Sequence, residues 1–197
     1  TFEAKRFACT QLAVIGGAAS VPATAALLKD DETVGLACLA LVSNPAPQAG
    51  QALRRSLSRL QGNALVQVVN TLGARRDTAA VRPLRELIGN SDPAVAGAAY
   101  LALGKIASPA ALNALAEARQ KQDAALADAV AAGSLIAAEH LLAANRRPTA
   151  RKIYDQLLAP GWPDQVRRGA FEALLRLDAD AGEARAAAAL AGEEPVF

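Results

Sequence analysis

The fold of this chain is decided by one stretch of its sequence, Val95-Ala96-Gly97-Ala98-Ala99-Tyr100-Leu101-Ala102-Leu103-Gly104-Lys105-Ile106. Apolar side chains recur in it every three or four residues, the spacing that places them on one side of an α-helix. The members of this stripe are Val95, Ala99, Ala102, Leu103 and Ile106. The stretch therefore predicts an amphipathic helix that is buried along one side.

The same stripe occurs twice more in the chain. Its five positions are repeated 71 residues after Val95, and its first four positions occur 61 residues before it. These copies are Val166, Ala170, Ala173, Leu174 and Leu177, and Val34, Cys38, Leu41 and Val42. Two further pairs lie 31 residues apart, Leu72-Gly73 with Leu103-Gly104 and Val81 with Leu112. Similar segments that recur about every 31 residues indicate a repeat protein made of helical hairpins.

A hairpin of two short helices cannot bury its own apolar stripe, so successive hairpins must stack. We therefore expect an all-α fold, a right-handed α-α superhelix (solenoid) of about six helical hairpins, or about twelve helices. The helices are predicted near residues 3–15, 20–29, 32–43, 47–60, 63–73, 78–89, 93–106, 109–119, 123–144, 148–158, 163–177 and 180–191. Strand patterns of period two are absent.

We expect a single domain over residues 1–197, divided into three parts. Regular repeats are predicted at 1–122, a longer hairpin at 123–160 and a final repeat at 161–197. Because the sequence starts at Thr1 and reads as helix from Phe2 onward, we expect it to be a segment of a longer chain.

Polar residues, prolines and glycines separate the predicted helices. Ser91-Asp92-Pro93, Asp30-Asp31 and Trp162-Pro163-Asp164 are interpreted as helix starts, because Ser and Asp side chains accept hydrogen bonds from free helix amides and proline lacks an amide. The glycines Gly16-Gly17, Gly73 and Gly104 lie near the ends of their stripes, and we expect them to turn the chain there.

The composition excludes several classes of protein. Hydrophobic residues make up 52% of the chain and aromatic residues 4%, which excludes a disordered chain and argues against aromatic-rich β-sandwiches and barrels. The formal net charge of +2 is too small to indicate a nucleic acid or an anionic membrane as the partner by itself. No apolar stretch approaches the roughly 20 residues needed to cross a bilayer, so we expect no membrane contact.

Two segments resemble HEAT repeats, particularly the short bacterial kind also called phycobilisome-lyase HEAT-like repeats. They are Val21-Pro22-Ala23-Thr24-Ala25-Ala26-Leu27-Leu28-Lys29-Asp30-Asp31 and the stretch 95–106 quoted above. The likeness spans roughly residues 3–119 and returns at 163–177. The family often has arginine after the valine of the second cap, whereas Gly35 and Ala96 stand there in this chain and only Arg167 fits.

Residues 138–158 are instead similar to a tetratricopeptide hairpin with a longer first helix and Tyr154 on the second helix. The order of segments also resembles the HEAT-repeat region found inside large, often exported, multidomain bacterial proteins, beside sugar-active or haem-bearing domains. This resemblance implies an exported or periplasmic location.

Arginine pairs along the array are the candidate partner- or anion-binding residues. A planar guanidinium can hold a carboxylate or a phosphate through two parallel hydrogen bonds, whereas arginines at helix ends can also remain solvated or interact with helix dipoles. Trp162 is a further candidate, either as an interface anchor or as a residue packed over a repeat junction. The arginines are Arg54, Arg55, Arg75, Arg76, Arg146, Arg147, Arg167 and Arg168.

Residues for catalysis or metal binding are scarce. His140 is the only histidine, and it is interpreted as a surface or groove residue. Cys9 and Cys38 are interpreted as small buried residues, with a disulfide between them as the alternative. The run 30–32 favours helix capping over cation binding. We therefore predict no catalytic residue, no cofactor and no metal.

We predict a scaffold or protein-binding module that is not an enzyme and that binds a partner protein or an adjacent domain along its concave face. Nucleic-acid or anionic-ligand binding through an arginine-lined groove is the alternative. A lyase-type enzyme is the third hypothesis, suggested by the second name of the repeat. The oligomeric state is left open.

Overall fold

The computed structural model describes residues 1–121, 124–177 and 179–191, and these are almost entirely helical, with no β-strand. The all-α class and the number of helices are confirmed. The α-helices are α1 (Phe2–Ile15), α2 (Val21–Ala26), α3 (Val34–Val42), α4 (Pro47–Ser56), α5 (Gly62–Ala74), α6 (Val81–Leu87), α7 (Pro93–Ile106), α8 (Pro109–Lys121), α9 (Ala127–Ala143), α10 (Arg147–Leu157), α11 (Asp164–Leu177) and α12 (Ala179–Leu190).

Alternate helices pack side by side, as stacking of hairpins requires. Helices α1, α3, α5, α7 and α9 form a first row in which each helix contacts the next. The helices between them form a second row, in which α2 contacts α4 and α6 contacts α8. The hairpins therefore stack as a helical solenoid.

The predicted stripe is the buried side of the first-row helices. Val95, Ala99, Ala102 and Leu103 are at most 1% exposed, and Ile106 is 6% exposed. The equivalent residues of α3 and α11 are buried as well, among them Val34, Cys38, Leu41, Val166, Ala170 and Leu174. The recurrence in the sequence is thus a recurrence of core positions.

Helices of the first row approach one another so closely that only glycine fits at the contact. A Cβ atom added at Gly104 would lie 2.2 Å from the carbonyl oxygen of Gly133, and one added at Gly73 would lie 2.7 Å from the Cα atom of Ala102. The prediction that Gly73 and Gly104 turn the chain is wrong, because both lie inside helices and contact the next helix of the row.

The turns after these helices use residues other than glycine. Arg76, Ala107 and Asn145 have φ angles of 51°, 48° and 57°. The Arg76 amide donates to the Gly73 carbonyl, and the next amide donates to the Leu72 carbonyl, which is the Schellman arrangement. The same two bonds close the end of α9 around Asn145.

Two predicted helix starts are confirmed and one predicted end is wrong. Asp92 caps α7 by accepting from the Ala94 amide at 2.9 Å, and Pro93 opens that helix. Helix α11 begins at Asp164, as the segment 162–164 predicts. Asp30 accepts from the Glu32 amide in the turn before α3, but the N-cap of α3 is Thr33. The helix predicted to extend to residue 60 ends at Ser56, whose hydroxyl donates to the Leu53 carbonyl and so binds the backbone locally.

Packing changes after α9. Helix α10 packs on both α9 and α11, and α11 packs on α12. Trp162, in the loop before α11, is 7% exposed and belongs to the same core cluster as Tyr154 and Val166. The structure thus places Trp162 in the core. Of the two roles considered from the sequence, interface anchor and packing residue, this agrees with the second. The division at residues 122 and 160 remains a prediction.

The glycine contact gives a stability prediction with a matched control. Gly104→Ala should lower the free energy of unfolding by about 1–3 kcal/mol, because the added methyl group forces α7 and α9 apart. Gly169→Ala is the control, since nothing lies within 4 Å of a Cβ atom added there. The control should be neutral or more stable by about 0.5–1 kcal/mol, the helix propensity of alanine over glycine. Urea denaturation measures both, and equal midpoints for the two variants would contradict the glycine contact.

Candidate binding surface

One arginine of the pair Arg75-Arg76 is part of the fold. The Nη1 atom of Arg75 donates to the carbonyl oxygens of Val42, at 3.2 Å, and Asn44, at 2.7 Å, and also to that of Leu41. Carbonyls at a helix end lack partners within the helix, and a cation is favoured there. Arg75 therefore caps the C-terminal end of α3 from the next first-row helix.

Two other pairs also supply one arginine to a helix end. Arg147 donates to the carbonyl oxygen of Leu177, at the end of α11. The Nε atom of Arg167 donates to the Leu158 carbonyl, at the end of α10, at 3.2 Å. Both interactions join neighbouring helices, as that of Arg75 does.

The pair Arg54-Arg55 is divided in the same way. Arg54 forms an ion pair with Asp77, whose carboxylate also accepts from the Ala79 amide at 3.0 Å. Burial lowers the pKa of Arg75, Asp77 raises it and Arg54 lowers it, which places these charges in one cluster. The carboxylate of Asp77 thus offsets two neighbouring cations.

Each predicted pair therefore contributes at least one arginine to an interaction within the fold. The engaged residues are Arg54, Arg75, Arg147 and Arg167. The other four members, Arg55, Arg76, Arg146 and Arg168, are exposed, and so is the engaged Arg147. The exposed set is the candidate surface for partner contact.

Arg76 and the sole histidine lie together although 64 residues separate them in the sequence. The Nη2 atom of Arg76 donates to Nδ1 of His140 at 2.8 Å, which requires the neutral imidazole. The pKa of His140 is lowered by partial burial and by the charges of Arg76 and Lys105, and Glu139 opposes this shift. The ends of α5, α7 and α9 thus meet in one charged cluster.

Three open grooves lie between helices. The first groove lies between α2 and α4 and has a volume of about 430 Å³, the second lies between α6 and α8 at about 600 Å³, and the third lies between α9, α10 and α11 at about 510 Å³. The third groove has an apolar lining that includes Leu135, Leu142 and Ala173, with Glu139 and Arg176 at the polar positions. Grooves with apolar floors and charged rims suit peptide segments.

Sequence reasoning missed Arg119. Its Nη1 and Nη2 atoms donate to the Ser134 hydroxyl and the Gln156 amide oxygen, each at 2.8 Å. Burial lowers the pKa of Arg119 to about 10. No pattern in the sequence indicates this residue, since the three side chains come from α8, α9 and α10.

The cysteines are both buried free thiols. Burial raises the pKa of each thiol, and a hydrogen bond with Thr71 partly opposes this for Cys38. Among the described residues, no group of three or more His, Cys, Asp and Glu side chains is placed to hold a metal ion. The described helices include none with the length and apolar character needed to span a bilayer.

The comparisons with known proteins agree with this geometry. Residues 57–136 match the family model of HEAT repeats. This part of the chain is therefore similar to HEAT repeats. The matched range contains α5, α7 and the glycine contacts between the first-row helices. Neither a curated protein nor a solved structure matches the chain significantly.

The array of helices should be sensitive to the loss of a cap between helices. Arg75→Met should lower the free energy of unfolding by about 1–3 kcal/mol, because it leaves carbonyl groups at the end of α3 without their donor. Arg55→Met removes the same charge from an exposed side chain and should change stability by about 0.5 kcal/mol or less. Chemical denaturation of both variants tests this, and comparable losses would argue against the cap.

His140 should make the stability of the folded chain depend on pH. Since its pKa is lower in the folded state than the ordinary 6.5, the unfolded chain binds the proton more tightly. The stabilising contribution is therefore present above about pH 6.5 and is lost as the pH falls through the folded pKa.

His140→Asn keeps a side-chain oxygen that can accept from Arg76 but removes the titration. Urea denaturation at pH 7.5 and 5.5 should show a smaller loss of stability for this variant than for the parent chain. Identical losses in the two proteins would show that His140 does not carry this part of the pH dependence.

Proposed function

We propose that this chain is a non-catalytic scaffold that binds a partner protein or an adjacent domain in the grooves between its helices, along the concave face of the array. HEAT repeats generally mediate protein–protein interaction. The observation that carries the proposal is the recurrence of open grooves between helices, with volumes of about 430, 600 and 510 Å³.

The grooves supply both parts of a peptide-binding site. Their floors are apolar, which favours burial of partner side chains, and their rims carry charges, which select the orientation and the sequence of the partner. In the third groove Tyr154 forms part of the lining, and burial and the charge of Glu139 raise the pKa of its hydroxyl.

Nucleic-acid binding is the second candidate, favoured by the exposed members of the arginine pairs. The engaged members argue against a continuous basic ribbon, because Arg75, Arg147 and Arg167 direct their guanidinium groups to backbone carbonyls of this chain. Fewer arginines are thus directed outward than the sequence pattern suggests. Binding to a nucleic acid would weaken steeply with salt.

A lyase-type activity finds less support. HEAT repeats are typically non-catalytic. The imidazole of His140 is engaged by Arg76, and both thiols are buried. Replacing His140 and both cysteines should therefore leave partner binding unchanged.

Site-specific photo-cross-linking tests the proposed function. Benzoylphenylalanine is placed at Arg82 in the second groove or at Glu172 in the third, with the exposed Ser58 and Gln165 as control positions. The groove positions should give discrete protein adducts in cells of the source organism, and the controls should give few or none. Adducts that nuclease removes, or equal adducts at all positions, would refute binding of a protein in the grooves.

A further inference from the structure

The first groove combines an apolar floor with a cationic rim. Ala25, Ala52 and the buried Leu28 and Leu60 are among the residues that line it. The rim carries the exposed cations Lys29, Arg55 and Arg59. No carboxylate lines the groove.

We propose that this groove, between α2 and α4, binds an acidic peptide segment of the partner protein, with alternating carboxylate and aliphatic side chains. The inference rests on the proposed function and names the partner chemistry at one of its grooves. The aliphatic side chains of the peptide pack on the floor, and its carboxylates pair with the arginines of the rim.

The second groove provides an internal comparison, because it lies between the corresponding helices α6 and α8. Its cations are neutralised within the protein: Arg82 pairs with Glu86 at 3.6 Å, and Arg85 pairs with Glu117 at 2.9 Å. Cations that already have carboxylate partners gain little from an acidic ligand. The second groove is therefore the natural control for the first.

The cations of the first groove have no such partners. Within the described ranges, no carboxylate lies within 4.0 Å of the charged atoms of Lys29, Arg55 or Arg59. The acidic residues nearest in sequence, Asp30 to Glu32, lie in the turn before α3, where Asp30 accepts from a backbone amide. The groove thus holds a concentration of positive charge that no carboxylate of the described residues pairs with.

The lining favours a peptide over a nucleic acid. Bound single strands rely on aromatic side chains on which bases stack, and no aromatic residue lines this groove. Small residues such as Ala25 and Ala52 leave room for aliphatic side chains next to the helices. The groove volume of about 430 Å³ suits a few such side chains. A nucleic-acid backbone would contact only the charged rim and would not use this volume.

The test uses the whole chain and a capped octapeptide of alternating glutamate and leucine. Titration followed by ¹H–¹⁵N correlation spectra should shift the amide signals of Ala25, Ala52 and Ser56, which line the groove. Arg55→Gln with Arg59→Gln should weaken binding about tenfold, because two charge-assisted contacts are lost. The matched control, Arg82→Gln with Arg85→Gln, should weaken it less than about twofold, since those arginines are already paired.

Several outcomes would overturn the proposal. They are equal weakening in both double variants, equal binding of a lysine–leucine octapeptide, shifts confined to other surfaces, and tighter binding of a twelve-nucleotide RNA at the same amides. If the peptide does not bind in the first groove but protein adducts still form at Arg82 and Glu172, only the acidic-peptide site is refuted. If no protein adducts form at those two positions, the proposed function is refuted. Both double variants change exposed arginines, and circular dichroism checks that each remains folded.

Discussion

Backbone contact between successive first-row helices is the constraint on which the rest of the structure depends. Gly104 meets the backbone of Gly133, and Gly73 meets that of Ala102, so the distances between α5, α7 and α9 are set where side chains are absent. Because these helices lie so close, the buried stripe is continuous from one repeat to the next. Open grooves lie between helices of the second row. The first row is therefore tightly packed, whereas the second row leaves surface accessible.

Arginine has two separate tasks on this scaffold. Arg75, Arg147 and Arg167 satisfy carbonyl groups at the ends of other helices, which ties neighbouring hairpins together at their edges. Such residues contribute to stability because a helix end that is not capped leaves acceptors without donors. The effect of an arginine on the rim of the first or the second groove depends instead on which acidic residues lie near it. The charge pattern of each groove is therefore a local property, although the grooves share one architecture.

The stripe, the repeat length and the helix number were predictable because each depends on side-chain spacing along the chain. The roles of individual residues were harder to predict. Gly73 and Gly104 looked like turn residues, but their missing side chains serve helix contacts. The turns instead use Arg76 and Ala107 at positive φ, a conformation that costs such residues about 1–2 kcal/mol and that sequence rules assign to glycine. Packing of the hairpins overrides this local preference.

The sequence by itself determined that the chain forms stacked helical hairpins with a buried stripe, because a helix places residues three and four apart on the same side wherever it occurs. Only the tertiary structure decided which arginine of each pair is engaged, why Trp162 lies in the core, and how Arg76 reaches His140. These outcomes depend on side chains distant in sequence that the superhelix brings together. A periodic sequence pattern shows on which face of its helix a residue lies. It does not show which residue of a neighbouring helix will pack against it.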